Sequence, residues 1–301
     1  MGSGKSMKPD GQLQGRCAII TGASRGLGRA IAEAFWREGA DLLLVSRSAT
    51  VLEQVVQALP PRIDQRAVIV PADLADEATP LNIMGVARKN FEHINILVNN
   101  AAIQEPIGPL CDCDWLAWQN ALRVNLLAPV ALCRAALPWL AESGWHGKII
   151  NLSGGGATAP RPCFSAYATA KAGLVRFSET LAIEAESRGV NINCIAPGAM
   201  GTDMMKAVLA AGPERAGMRE YAQAQQMLTR GGGVETRAVE LAVFLASAAS
   251  NGITGRLLSA VWDAWEKLPQ RWPEIQKSDI FTLRRIAPKD RGFQELENDQ
   301  H

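Results

Sequence analysis

Six short apolar runs, separated by longer amphipathic segments, constrain this chain more than any other feature. They are CAIIT (17–21), DLLLVS (41–46), AVIVP (67–71), INILVN (94–99), KIINL (148–152) and NINCI (191–195). Each is bounded by glycine, proline or polar residues and is too short for a buried helix. Runs that are apolar throughout suit strands covered on both faces. The segments 29–38, 51–59, 81–91, 115–140, 166–187 and 235–247 are long enough for helices, and Gly39 follows the first as its expected cap. This alternation predicts an α/β fold with a doubly wound parallel β-sheet.

The 301 residues are read as one domain over 14–260, a disordered leader over 1–13 and a C-terminal extension over 261–301. Lys plus Arg number 31 and Asp plus Glu 30, so the charge gives no reason to expect nucleic acid or an anionic membrane as partner. No continuous apolar run reaches 18 residues, and no membrane span is expected. The leader lacks the apolar stretch of a secretory signal. Its GSGKS resembles the end of a phosphate-binding loop, but no strand precedes it. Six scattered cysteines and three histidines suggest reduced thiols in a cytoplasmic protein, with neither structural zinc nor a histidine triad.

Two stretches carry chemistry. TGASRGLG (21–28) follows the first strand and opens the first helix, where glycines let the backbone approach a pyrophosphate and the helix N-terminus favours its charge. CFSAYATAK (163–171) places Tyr167 and Lys171 four residues apart, on one helix face. A phenol with its ordinary pKa near ~10 is a poor proton donor at neutral pH, and a neighbouring ammonium lowers that pKa.

With NNAA (99–102), Ser153, YATAK (167–171) and APG (196–198) following TGASRGLG in order, the chain resembles the short-chain dehydrogenase/reductase family over roughly residues 14–258. The resemblance implies a Rossmann-like domain, a nicotinamide cofactor, and interconversion of a carbonyl compound with a secondary alcohol. It implies a catalytic set of Asn125, Ser153, Tyr167 and Lys171. Tyr167 is expected as general acid/base, and Lys171 as the charge that tunes it and a ligand of the nicotinamide ribose. Ser153 is expected to polarise the carbonyl, and Asn125 to hold a water that resupplies protons.

For the cofactor, the resemblance carries over Gly22, Ser24, Arg25, Gly26, Leu27 and Gly28 in the turn. Asp73 and Leu74 are expected near the adenine, and Asn99 and Ala101 beneath the cofactor. Pro197, Gly198 and Thr202 are expected around the nicotinamide carboxamide. Ser46 stands where an NAD-selecting acid is expected, and Arg47 follows it. Arg25 and Arg47 together suit a 2′-phosphate, which predicts NADP(H) over NAD. Residues of about 203–230 form the expected lid over a small-molecule substrate, with Met204, Met205, Met218, Tyr221 and Met227 as candidate lining and GGGV (231–234) as its hinge.

The extension carries Trp262, Trp265 and Trp272 and is expected to pack on its own subunit or a neighbour's, near the substrate mouth. Assembly as a homodimer or homotetramer is expected from the resemblance. Two alternatives stand beside a carbonyl reductase: a dehydrogenase oxidising a sugar, polyol or other alcohol, and a non-catalytic NADP-binding sensor.

Overall fold

The computed structural model describes residues 11–200, 203–229, 236–293 and 296. The leader up to residue 10, Thr202 and the glycine run 231–234 lie outside the described residues.

Seven parallel strands form one sheet in the order β3-β2-β1-β4-β5-β6-β7. They are β1 (Cys17–Thr21), β2 (Asp41–Ser46), β3 (Ala67–Pro71), β4 (Ile96–Asn99), β5 (Lys148–Leu152), β6 (Asn191–Ala196) and β7 (Arg256–Ser259). Alternate residues enter opposite cores, as a strand's two-residue period requires. Ala18 and Ile20 of β1 face the core with α1 (Gly26–Arg37), α2 (Ala49–Ala58) and α9 (Thr236–Ala246). Cys17 and Ile19 face the other core, with α3 (Thr79–Asn90), α5 (Ala128–Glu142) and α6 (Ser165–Glu184). Strand order reverses between β1 and β4, the crevice in which open α/β sheets hold ligands at the carboxyl ends of their strands.

Local chemistry sets the helix ends. Ser48 caps α2 through Val51 N, and Asp114 caps α4 (Trp115–Leu122) through Ala117 N. Gly39, at φ +94°, ends α1 in the left-handed conformation that favours glycine. Between α4 and α5 the chain makes a π turn, Arg123–Leu127, which a helical apolar pattern does not announce. The whole stretch Trp115–Glu142 has a mean hydropathy of 1.5 and is by length and composition long and apolar enough to cross a membrane. Polar residues interrupt it, so it holds no continuous apolar run of that length. Here Leu132, Cys133, Ala136 and Leu140 face the sheet.

The domain starts earlier than expected. Leu13 is fully buried and its N–H donates to Glu38 O at 2.9 Å, so residues 11–13 belong to the fold rather than the leader. At the other end the extension packs on its own chain. Leu257 N donates to Phe281 O at 2.8 Å, extending hydrogen bonding beyond the edge of β7. Arg256, 7% exposed, donates to the carbonyls of Ile275, Gln276, Ser278 and Ile280 around α10 (Leu268–Ile275). Trp265 is buried against Phe244 with ring centroids 5.4 Å apart, Trp272 stacks on the Arg256 guanidinium, and Trp262 is exposed.

Candidate active site at the carboxyl ends of the strands

The turn after β1 is built to leave a helix terminus open. Arg25 occupies the N-cap of α1 without a side-chain capping bond, and the first turn holds no acid. The orphan N–H groups and the positive end of the helix dipole therefore have no competing anion. Gly22 has φ +66°, and a Cβ there would stand 2.8 Å from Ala101 Cα. At Gly28 a Cβ would stand 2.3 Å from Gly22 O and Asn100 Nδ2, so glycine is what lets helix and turn close together.

Thr21 and Asn100 hold the turn. Thr21 Oγ1 accepts from the N–H groups of Asn100 and Ala101 at 3.0 and 3.1 Å. Asn100 Nδ2 reaches Thr21 O and Gly22 O. The sequence reading passed over Asn100, whose signal is the second asparagine of NNAA. Asn99 points elsewhere: its Nδ2 donates to Asn151 Oδ1 at 2.8 Å, within a buried network that continues to Ser178. This cradle, which only glycine backbone fits, suits the pyrophosphate of a dinucleotide. Of the other turn residues, Gly26 has φ +54°, Leu27 is buried in the core and Ser24 is half-buried.

At the end of β2, Ser46 is half-buried and Arg47 is exposed, without a side-chain hydrogen bond or ion pair among the described residues. Asp73 accepts from Ala75 N in a tight local turn, and Leu74 is half-buried. Arg25 does not turn toward Arg47 as expected. Its guanidinium pairs with Asp203 at 2.8 Å, at the start of α7 (Asp203–Ala216), because that helix brings a carboxylate across the cleft. Lys206 shares the same carboxylate, and both partners hold Asp203 below its ordinary value.

Tyr167 and Lys171 lie in the first two turns of α6, both buried. Lys171 Nζ donates to Leu152 O at 2.7 Å, and burial brings its pKa down to about 8. The Tyr167 hydroxyl makes no hydrogen bond among the described residues. Burial pushes this phenol above its ordinary value, and the Arg161 guanidinium pulls it back. Arg161, a residue the sequence reading missed because nothing in RPCFSAY shows a loop arginine folding over the ring, thus faces the phenol beside Lys171. Its Cζ stands 5.6 Å from the Tyr167 ring centroid.

The two other members of the expected set, Ser153 and Asn125, lie at the same end of the sheet. Ser153 directly follows β5 and is buried, and its hydroxyl has no hydrogen-bond partner among the described residues, which leaves it open to a substrate oxygen. The position that faces the phenol is Gly154, where a Cβ would stand 2.3 Å from Tyr167 Oη. Motif counting cannot tell which of two adjacent residues aims at a phenol on another element. Asn125, fully buried in the π turn, accepts from Ile103 N at 2.9 Å and donates to Ile103 O at 2.7 Å. Its amide fastens the loop after β4, and its oxygen keeps a second lone pair.

The segment expected as a lid forms two helices, α7 with a break at Gly212 and α8 (Met218–Thr229). Met204, Met205, Ile107, Phe164 and Val208 cluster with Tyr167. A cavity of about 270 Å³ is lined by Met205, Met227, Ala199 and Glu220, among others. Met218 is exposed and Tyr221 half-buried, so neither takes the expected lining position as clearly. Pro197 and Gly198, at φ +88°, follow β6 at the same end of the sheet.

The family model described as short chain dehydrogenase matches residues 16–212. The 3-oxoacyl-(acyl-carrier-protein) reductase of Escherichia coli is 34% identical over 246 residues, covering 82% of this chain and 96% of the relative. The L-fucose dehydrogenase of Oryctolagus cuniculus is 32% identical over 248 residues, covering 81% and 83%. Among solved structures, carveol dehydrogenase from Mycobacterium avium in complex with NAD shares the fold, with a TM-score of 0.72 at 24% identity over 83% of this chain and 97% of that one.

Proposed function

The chain belongs to the short-chain dehydrogenase family, and from that membership we propose an NADP(H)-dependent oxidoreductase that interconverts a carbonyl compound and a secondary alcohol. The family makes it an NAD(P)-dependent dehydrogenase/reductase. The finer proposal rests on one observation above all: a buried phenol, Tyr167, whose hydroxyl has no hydrogen-bond partner among the described residues, stands with Lys171 at the carboxyl end of the sheet.

When bound, the nicotinamide cofactor supplies or accepts hydride. The remaining work belongs to this chain. Tyr167 gives a proton to the carbonyl oxygen in reduction and takes it from the alcohol in oxidation. Lys171, with its Nζ anchored on Leu152 O, stands on the same helix face to pass protons and to meet the cofactor's ribose. Asn125 ties the loop after β4 to the π turn and so fixes the floor of the site. Ser153, whose buried hydroxyl has no hydrogen-bond partner among the described residues, is free to donate to the carbonyl oxygen and polarise it. The N-terminus of α1 holds the pyrophosphate, with Pro197 and Gly198 beside the nicotinamide.

The NADP(H) preference is supported by the absence of an acid at the end of β2 and by the uncommitted Arg47 beside Ser46. The name of the rabbit relative supports the oxidising direction as a second reading of the same site. Cytoplasmic location and assembly as a homodimer or homotetramer belong to the same proposal.

The experiment is NADPH oxidation across a panel of ketones, quinones and oxidised sugars, with Tyr167→Phe as control. Turnover that falls at least about a hundredfold in Tyr167→Phe is expected. Turnover that the variant keeps sinks the assignment of Tyr167. Cofactor binding with no turnover in either direction returns the site to a sensor.

A further inference from the structure

Arg161 lies on the loop between β5 and α6, and its placement is unusual for a loop arginine. Its side chain is 12% exposed. The guanidinium carbon stands 3.9 Å from the Phe164 ring centroid and 5.6 Å from that of Tyr167. One nitrogen donates to Glu220 Oε2 of α8 at 2.7 Å. A cation is thus laid over Tyr167 by a carboxylate carried on α8.

The other charged groups on the surrounding elements are tied elsewhere. Lys171, on the helix of Tyr167, has its Nζ 5.7 Å from the ring centroid but bonded to Leu152 O. Arg215 of α7 donates to Ile107 O. Glu105, on the loop after β4, accepts from Gln104 N. Asp203, at the start of α7, pairs with Arg25 and Lys206. Cys163, beside Phe164 in sequence, is half-buried and has a free thiol. Lysine also differs from arginine in kind. A fully buried ammonium sheds its charge within the range where a tuned phenol titrates, whereas a guanidinium keeps its charge throughout.

We propose that Arg161 is a positioning residue for the reaction, the cation that favours the phenolate of Tyr167, and that its ion pair with Glu220 makes this influence depend on where the lid helix sits. An opposite charge at this range favours the ionised form. Glu220 fixes the guanidinium over the ring when α8 is packed down. A lid that lifts takes Glu220 with it and frees the arginine to solvent. Acidity and lid closure are thereby one event, so the donor is poised only over an enclosed substrate. The inference rests on Tyr167 as proton donor, but its first test needs no turnover.

The chain has two tyrosines, Tyr167 and Tyr221. Carbon-13 at the tyrosine ζ position therefore gives two resonances, assigned with Tyr221→Phe, and each reports its own ionisation. Arg161→Met is expected to raise the Tyr167 midpoint by about one pH unit or more. Arg161→Lys is expected to raise it by clearly less than Arg161→Met. Glu220→Ala is expected to move it in the same direction as Arg161→Met, and by less. The basic limb of the pH profile of kcat/KM is expected to shift with the midpoint. A Tyr167 midpoint unmoved in Arg161→Met, or moved equally in Arg161→Lys, overturns the electrostatic role. A midpoint unmoved in Glu220→Ala overturns the coupling to the lid. If the resonance shifts as expected but Tyr167→Phe retains turnover, it is the functional assignment that fails and not the pairing.

Discussion

Tyr167 points its hydroxyl at the backbone of Gly154, so closely that a single methyl group at 154 would lie 2.3 Å from the phenolic oxygen. No L side chain fits that gap unless the ring moves. Gly154→Ala is therefore expected to displace the phenol by about an ångström and to cut kcat by about a hundredfold. Cofactor affinity, read by quenching of tryptophan fluorescence, is expected to stay within about threefold, because the glycine turn after β1 is untouched. Ser153→Ala, one residue away, is expected to cut kcat by about a hundredfold as well, through the lost donor to the carbonyl oxygen. A Ser153→Ala loss of less than about tenfold would take the serine out of the catalytic set.

Arg47 and Arg25 make separable predictions about the cofactor. Ser46→Asp with Arg47→Ala places an acid at the end of β2 and removes the free guanidinium. The ratio of kcat/KM for NADPH over NADH is expected to drop by at least about tenfold. Asp203→Asn releases Arg25 from its exposed ion pair, and NADP binding at low salt is expected to tighten a few-fold, an advantage that fades as salt screens it. An unchanged preference in the first variant argues that the ribose is read by other groups.

Two lysines make stability depend on pH. Lys148 opens β5, buried, with Nζ donating to Asn191 Oδ1 and Ser250 Oγ and no carboxylate partner among the described residues. Burial, and then the charge of Arg16, lower its pKa from 10.5 to about 7. Lys171 is lowered to about 8. Above those values the unfolded chain holds protons that the folded chain has released, up to its own pKa of 10.5. Stability therefore rises with pH through this window, by at most about 1.4 kcal/mol per unit for each lysine. Denaturant midpoints measured from pH 7 upward should climb, and Lys148→Met should flatten the first part of the climb. A midpoint that falls over this range contradicts the burial-driven shift.

Arg256 holds the extension by four carbonyls. Arg256→Ala is expected to cost about 3 kcal/mol and to open cleavage by trypsin at Lys277, Arg284 and Arg285, while the sheet stays resistant. Equal resistance in wild type and variant would mean that the tryptophans alone anchor the segment.

Much of the scaffold was legible because a doubly covered sheet writes itself as local apolar runs. CAIIT, DLLLVS, AVIVP and KIINL coincide with β1, β2, β3 and β5. INILVN overran β4 by two residues, since Ile94 is buried without joining the ladder. The glycine turn and the Tyr167–Lys171 pair were legible for the same reason: their partners lie within one helical segment. What escaped depends on contacts between distant segments. Nothing local places Gly154 rather than Ser153 under the phenol, sends Arg25 to Asp203, or folds Arg161 between Phe164 and Glu220. The extension was recognised as an addition, but its seat along β7 is set by backbone hydrogen bonds that side-chain pattern does not encode.

The π turn at Arg123–Leu127 gives the longest helical stretch of the chain a rotational offset. One extra residue in a turn advances the face that follows by about 100°. The face that α4 turns to its neighbours and the face that α5 turns to the sheet are thus set independently, with Asn125 at the joint between the two phases. Removing a single residue there would shorten the helix by little yet rotate one half of it against the other, so Ile103 would lose both of its bonds or Leu132, Cys133 and Ala136 would leave the core. Length in this segment behaves as an angle, and the site tolerates only one value of it.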